Sequence, residues 1–152
     1  MDNMQINFPV FSRLVTLNLW DIEVSNCDFG GRLRPLSYIG ASVVIICFRI
    51  DNPDSLFDVP EIWVSEVRHY TRDTKAPILL VGCKMDIRAD PAELERMKKR
   101  RLMEPVSVQQ GRDMAKSIGA AMYLECSAKT GQGVDEVFHH AARLSLQAKA
   151  PH

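Results

Sequence analysis

The sequence predicts an α/β domain built on a mostly parallel sheet flanked by helices. Short, continuously apolar, β-branched runs recur at 41–50 (ASVVIICFRI), 77–81 (PILLV) and 122–126 (MYLEC). Such runs suit strands buried on both faces, as parallel sheets require. Helical patterns lie between them, so the chain reads as successive βαβ units. With 152 residues, 46% hydrophobic and 25% charged, residues 1–152 form one domain with a sizeable core. No internal repeat, linker or low-complexity tract divides it.

The elements follow in order. Val15-Thr16-Leu17-Asn18-Leu19-Trp20 alternates strictly, which predicts a strand with Val15, Leu17 and Leu19 on one face. Met4 to Phe11 offers a partner strand, which Pro9 confines to an edge or a bend. After the run at 41–50, Asp51-Asn52-Pro53 opens a helix carrying Leu56, Ile62, Trp63 and Val67, with Pro60 expected to force a new start midway. Val64, Trp63 and Tyr70 read as helix core, and His69-Tyr70 as a C-terminal cap and core contact. The stretch 90–103 (DPAELERMKKRRLM) reads as an exposed, charged helix with Pro91 at its first position. Ser107-Val108-Gln109-Gln110 is a capping box, and Gly119 stops that helix after Ile118. The last helix starts near Val134 and aligns Val134, Val137, Phe138, Ala141 and Leu144 on one stripe.

Composition narrows the function. Lys plus Arg (19) balances Asp plus Glu (19), so no global field draws the chain to nucleic acid or an acidic membrane. Lys98-Lys99-Arg100-Arg101 is the one basic cluster, and a solvated helix face explains it more simply than nucleic-acid binding. Cys27, Cys47, Cys83 and Cys126 form no CxxC pair, and Cys47, Cys83 and Cys126 lie in or beside apolar runs as small hydrophobes. With no secretory signal, a reduced, cytoplasmic protein is expected. No apolar run approaches the roughly 18 residues of a membrane span. The C-terminus Ala148-Lys149-Ala150-Pro151-His152 has no cysteine at a prenylation position, so no lipid anchor is expected.

Two loops carry the chemistry, each following a predicted strand. They are Val81-Gly82-Cys83-Lys84-Met85-Asp86 and Glu125-Cys126-Ser127-Ala128-Lys129. Ligands of open α/β sheets sit outside the carboxyl ends of strands, where these loops fall. Together they resemble the guanine-specificity elements of small GTPases, the [N/T]KxD and SAK motifs. The implied guanine-binding set is Cys83, Lys84, Asp86, Ser127, Ala128 and Lys129. Asp86 can accept two hydrogen bonds, from the ring N–H and the exocyclic amine of guanine, which adenine cannot supply. Such charge-assisted bonds contribute about 1.5–3 kcal/mol each. The Ala128 N–H can donate to the guanine carbonyl, and the stems of Lys84 and Lys129 can flank the base. The plainer readings are a helix N-cap or surface ion pair for Asp86 and a solvated loop residue for Lys129. Cys83 stands where the family has Asn or Thr, and it is a poorer hydrogen-bonding side chain.

The resemblance extends to Rho-type GTPases of the Ras superfamily. Arg32-Leu33-Arg34-Pro35-Leu36-Ser37-Tyr38 resembles the segment after their second switch, and Gly82 to Arg88 resembles their base loop. The charged helix at 90–103 falls where Rho proteins carry an insert helix. Glu104-Pro105-Val106, Gly111-Arg112-Asp113-Met114-Ala115 and Tyr123 to Thr130 continue the likeness, which covers Val15 to Gln147. It implies a small-GTPase-like sheet, GTP or GDP as ligand, and Rho-type regulators or effectors as protein partners.

The chain departs from that pattern in ways that bear on activity. A Rho-type GTPase begins with a strand, a GxxxxGK[ST] loop, a helix and a first switch; no GK[ST] occurs in these 152 residues. The expected domain therefore lacks the first strand, phosphate-binding loop and first helix. Losing about five charge-assisted bonds at roughly 2 kcal/mol each removes on the order of 10 kcal/mol, or about seven decades of affinity. Nucleotide is expected to bind weakly, and Mg2+ binding is not carried over. Trp20-Asp21-Ile22-Glu23-Val24-Ser25-Asn26 stands where the family has WDTAGQE. Asp21 is a remnant of the metal contact, or a strand-end carboxylate without a ligand. Val24 replaces the Gly that approaches the γ-phosphate, and Ser25 replaces the Gln that orients the attacking water. The stretch 27–31 is also about two residues longer than the family's by that alignment. No catalytic residue is assigned, and hydrolysis is not expected.

The absent strand would lie between the strand at Val15–Trp20 and that at Ala41–Ile50, leaving two rows of backbone groups to satisfy. Direct pairing of those strands, insertion of the N-terminal segment, a strand from a partner, or a truncated product unable to fold alone are the four outcomes. His139 and His140 are adjacent on a helix, about 100° apart, and cannot chelate one metal. The expectation is a pseudo-GTPase serving protein interaction, with a GTP-binding Rho-type signalling GTPase as the alternative.

Overall fold

The computed structural model describes residues 2–22, 34–101 and 103–148. The altered switch positions Val24 and Ser25, the stretch 27–31 and the start of the segment at Arg32-Leu33 lie outside the described residues.

Alternating residues at the N-terminus build an antiparallel hairpin of β1 (Asp2–Val10) and β2 (Arg13–Asp21). Val10 pairs with Arg13 across a two-residue turn, where Phe11 takes φ 54°. Val15, Leu17 and Leu19 share one face with Ile6, Phe8 and Val10, and that face packs on Phe138, Ala142 and Leu146. The other face is exposed and carries Leu14 and Trp20 beside its polar residues, with Asn18 Oδ1 accepting from Gln5 and Asn7 Oδ1 accepting from Thr16, both at 2.7 Å. Pro9 lies opposite Leu14, one step from the hydrogen-bonded Val10–Arg13 pair that closes the turn. Its missing N–H thus falls on the outer edge, as expected of a strand proline.

The apolar runs form a separate parallel sheet in the order β3-β4-β5, of β3 (Val44–Arg49), β4 (Ile78–Cys83) and β5 (Met122–Cys126). Central β4 is the most deeply covered, with Leu79, Leu80 and Val81 at most 1% exposed. Helices α1 (Pro53–Asp58), α2 (Ser65–Tyr70), α3 (Pro91–Arg101), α4 (Val108–Ser117) and α5 (Val134–Ala148) complete the fold. One sheet face, through Ile46, Phe48 and Leu80, packs on Val59, Val64, Val67, Ala115 and Ile118. The opposite face, through Leu79 and Val81, packs on Val137 and Ala141 of α5. Helices on both faces explain why these strands read as unbroken apolar runs.

Several expectations need correction. The strand at Val15–Trp20 pairs with the partner offered by Met4–Phe11, but this hairpin is antiparallel and forms a sheet of its own instead of joining the parallel one. Among the described residues no ladder joins β1 or β2 to β3, so neither direct pairing across the gap nor insertion of the N-terminal segment occurs. Pro60 does not restart a helix: the chain runs from α1 through a π turn, Val59–Val64, into α2. The wider turn rotates the buried face, so Val59 and Val64 go inside while Ile62 is 49% exposed. Tyr70 is exposed, stacked on buried Tyr38 at 5.5 Å between ring centroids, and His69 is exposed beside it. Cys47 is exposed as well, because β3 has a neighbouring strand on its β4 side alone among the described residues.

The capping box at the start of α4 is present in full, with the Ser107 hydroxyl accepting from the Gln110 N–H and the Gln110 side chain accepting from the Ser107 N–H. Gly119 ends that region at φ 68°. On α3, Lys98, Lys99 and Arg100 are exposed, and Lys99 pairs with Glu95 at 3.7 Å, which is a solvated helix face.

Tyr123 on β5 crosses two glycines. A Cβ at Gly82 or Gly111 would collide with the Tyr123 ring or hydroxyl, and the hydroxyl is tied to Glu125 at 2.6 Å. The ring therefore cannot swing aside. Gly111→Ala should cost about 2 kcal/mol of stability, read as a lower urea midpoint at unchanged slope; an unchanged midpoint would show that the ring relaxes freely.

Candidate functional site

The β4–β5 register sets the site. Cys83 is opposite Cys126, so the loops leaving both strands emerge side by side. Lys84 takes the left-handed conformation (φ 65°, ψ 39°) and reverses the chain into a 3-10 turn, Met85–Ala89. That reversal aims Asp86 back toward the β5 loop. There the Ser127 hydroxyl donates to Asp86 Oδ1 at 2.6 Å.

Ser127 is fully buried and is the anchor of its own loop. Its N–H donates to the Gln132 carbonyl and its carbonyl accepts from the Gly131 N–H, each at 2.8 Å. Its Oγ also accepts from the Thr130 N–H at 3.2 Å. Gly133 (φ 76°) lets the loop pass tightly under the Glu125 carbonyl, where a Cβ would collide. Ala128, Lys129 and Thr130 are thereby left exposed.

Asp86, Ala89, Asp90, Pro91, Lys129, Thr130 and Gln132 line an open cleft of about 500 Å³. Among the described residues Asp86 Oδ2 has no protein partner, nor has the Ala128 N–H. The cleft therefore presents a carboxylate acceptor and a cation, with the exposed Ala128 backbone next to Lys129, a set a planar, hydrogen-bonding ring could use.

Two ion-pair groups support the loops. Asp51, at the carboxyl end of β3, takes two bonds from Arg49 at 2.9 Å and one from Lys84 at 3.2 Å. Arg49, then Lys84, holds the Asp51 carboxyl below its ordinary range despite its partial burial. Beneath the cleft Arg88 grips Glu125 bidentately at 2.7 and 2.6 Å and also donates to the Val106 carbonyl. Burial pushes Glu125 up, but the bonds from Arg88 and Tyr123 together hold it below its ordinary value. The Tyr123 hydroxyl is in turn pushed up by burial and by Glu125.

Of the residues predicted from sequence, Asp86 and Ser127 are in direct contact, and Lys129 lines the same cleft. Lys84 is adjacent, with its ammonium turned to Asp51 instead of the cleft. Cys83 is half-buried in the sheet below. Asp21 is exposed at the end of β2, in the other sheet. Among the described residues no group of three or more His, Cys, Asp or Glu is placed to hold a metal ion. The sequence reading missed Asp51, Arg88, Thr130, Gln132 and Gly133; Asp51, directly after a predicted strand, carried the same positional signal as Asp86.

Comparison with known proteins gives the family. The family described as "Ras: Ras family" matches residues 1–147. The GTP-binding protein RHO1 of Candida albicans is 49% identical over 148 residues, 97% of this chain and 72% of the relative. RHO1 of Saccharomyces cerevisiae is 48% identical over 98% of this chain and 69% of the relative. The chain belongs to the Rho-type small GTPases of the Ras family. A further Rho-type relative, GTP-binding protein rho1 of Schizosaccharomyces pombe, is 45% identical over 99% of this chain and 72% of its own length. Within this Rho-type frame, no helix among the described residues is long and apolar enough to cross a membrane.

The ion pair under the cleft gives a pH test. Because Glu125 has a depressed folded pKa, its stabilisation is complete above its ordinary value of 4.5 and is lost as pH falls through the lower folded value. Below pH 4.5 the melting temperature of the native chain should therefore fall more steeply than that of Glu125→Gln. Parallel curves would remove Glu125 from the account.

Proposed function

We propose that this Rho-type chain holds guanine nucleotides by their base and serves as a protein-interaction module that does not hydrolyse GTP. The observation that carries the reading is the Asp86 carboxylate, which lines the cleft and is fixed by Ser127 at 2.6 Å. A carboxylate in that position accepts from the ring N–H and exocyclic amine of guanine together, and it repels the lone pair adenine presents at the ring position. The Ala128 N–H is the donor for the guanine carbonyl, and the Lys129 stem covers one face of the ring.

Support for the absence of hydrolysis comes from the sequence. Ser25 holds the position of the water-orienting Gln, and Val24 that of the Gly beside the γ-phosphate. The reading assigns most of the affinity to the base contacts, with Mg2+ adding little. The partners are proteins that read Rho-like surfaces, and a reducing, cytoplasmic setting is part of the proposal, supported by the free thiols. The competing reading, a GTP-binding signalling GTPase, draws on the 45–49% identity to relatives named for GTP binding.

Titration with a fluorescent GDP analogue, with and without Mg2+, separates the two. The proposal expects binding in the micromolar range or weaker, unchanged by Mg2+ and lost by at least tenfold in Asp86→Ala, since about 1.5–3 kcal/mol is removed per bond. Nanomolar, Mg2+-dependent binding would instead establish the signalling GTPase.

A further inference from the structure

Three thiols share one face of the parallel sheet. Successive side chains of a strand alternate, so Cys47 on β3, opposite Val81, faces the same way as Cys83, two residues beyond Val81. Cys126 on β5 is directly opposite Cys83. All three are free, and Cys83 and Cys126 are half-buried.

Spacing decides which pair can join. Neighbouring strands lie about 4.8 Å apart, and disulfides need Cα atoms roughly 4.4–6.8 Å apart. Cys83 and Cys126 meet that requirement. Cys47 is diagonal to Cys83; their thiols interact, but their Cα atoms are roughly 7–8 Å apart, which needs backbone movement to bridge. From these positions we infer that Cys83 and Cys126 form a reversible disulfide with a small-molecule disulfide such as oxidised glutathione as oxidant, and that this bond clamps the two base-recognition loops. The clamp's effect on nucleotide rests on the guanine reading above; the bond itself does not.

The exchange balances. The Cys126 thiolate attacks one sulfur of glutathione disulfide, breaks its S–S bond and releases one glutathione thiolate. The Cys83 thiolate then attacks Cys126 Sγ in the mixed disulfide and releases the second. Two protein thiols give up two electrons and two protons, and one glutathione disulfide becomes two glutathione thiols. Burial pushes the Cys126 thiol up to about 11. The hydrogen bond with Cys47 and burial push Cys83 up as well. Exchange is therefore slow at neutral pH and accelerates as pH rises.

The bond is also easily reversed. Cβ atoms of directly opposed residues stand roughly 5 Å apart, against about 3.8 Å in a relaxed disulfide. That strain raises the reduction potential and makes the bridge labile. Its position gives it a consequence, because Cys83 is three residues before Asp86 and Cys126 immediately precedes Ser127. The covalent bridge thus runs beside the 2.6 Å Ser127–Asp86 bond that aims the carboxylate.

The test incubates the full chain at pH 8.5 with oxidised or reduced glutathione, blocks free thiols, and maps cross-linked peptides by mass spectrometry without reduction. A Cys83–Cys126 peptide is expected, reversed by dithiothreitol, kept in Cys47→Ser and lost in Cys126→Ser. A bridge to Cys47, or no bridge at all, overturns the inference. Oxidised chain should bind the GDP analogue at least threefold more tightly than reduced chain; equal or weaker binding overturns the clamp. If the bridge forms while reduced chain binds no GDP, the guanine reading fails and the disulfide stands. If GDP binds without a bridge, the reverse holds.

Discussion

The hydrogen bond from Ser127 Oγ to Asp86 Oδ1, 2.6 Å long, joins residues 41 apart in the chain and fixes the geometry of the whole site. It is charge-assisted and its donor is fully buried, a setting in which such bonds contribute about 1.5–3 kcal/mol. Three requirements converge on it. The β4–β5 register must bring Cys83 opposite Cys126, Lys84 must turn left-handed, and Gly133 must let the second loop fold under Glu125. Ser127 satisfies three loop groups with one side chain and its own backbone, so the loop holds its shape without ligand. The carboxylate is consequently aimed before any base arrives, which lowers the ordering cost of binding.

Below that bond the sheet end is stiffened by charge pairs whose partners come from different elements. Arg88 of the 3-10 turn ties β5 through Glu125 and the segment before α4 through the Val106 carbonyl. Tyr123 closes the same group and fills the space left by Gly82 and Gly111. A partly buried pair of this kind is costly to break, because removing one partner leaves the other's charge partly shielded from water. The hairpin stands apart: it is held by its own ladder and by packing on α5, not by hydrogen bonding to the parallel sheet. The proposed base site thus belongs to the three-stranded half.

Much of this half was legible in the sequence. Runs such as PILLV and MYLEC announce buried parallel strands, and the loops after them carry KxD and SAK, so strand ends and ligand groups fell together. The capping box at Ser107 and the apolar stripe of α5 were equally local signals, and both are present. What escaped the sequence was set by tertiary context. The π turn at Val59–Val64 shifts the helix face by a fraction of a turn, which no periodicity count contains, and so leaves Ile62 outside. Cys47 reads as core until β3 proves to be at the edge of its sheet. The partners of Lys84 and Arg88 lie 33 and 37 residues away, beyond any local pattern.

The central claim is that Asp86 reads the guanine base through two hydrogen bonds. Inosine diphosphate keeps the ring N–H of GDP and lacks the exocyclic amine, so it removes one of the two and leaves the phosphates alone. Competition of GDP and inosine diphosphate for the chain measures that single bond. The account predicts at least a tenfold preference for GDP, from about 1.5–3 kcal/mol, and equal affinities in Asp86→Ala. Equal affinities in the native chain would contradict it.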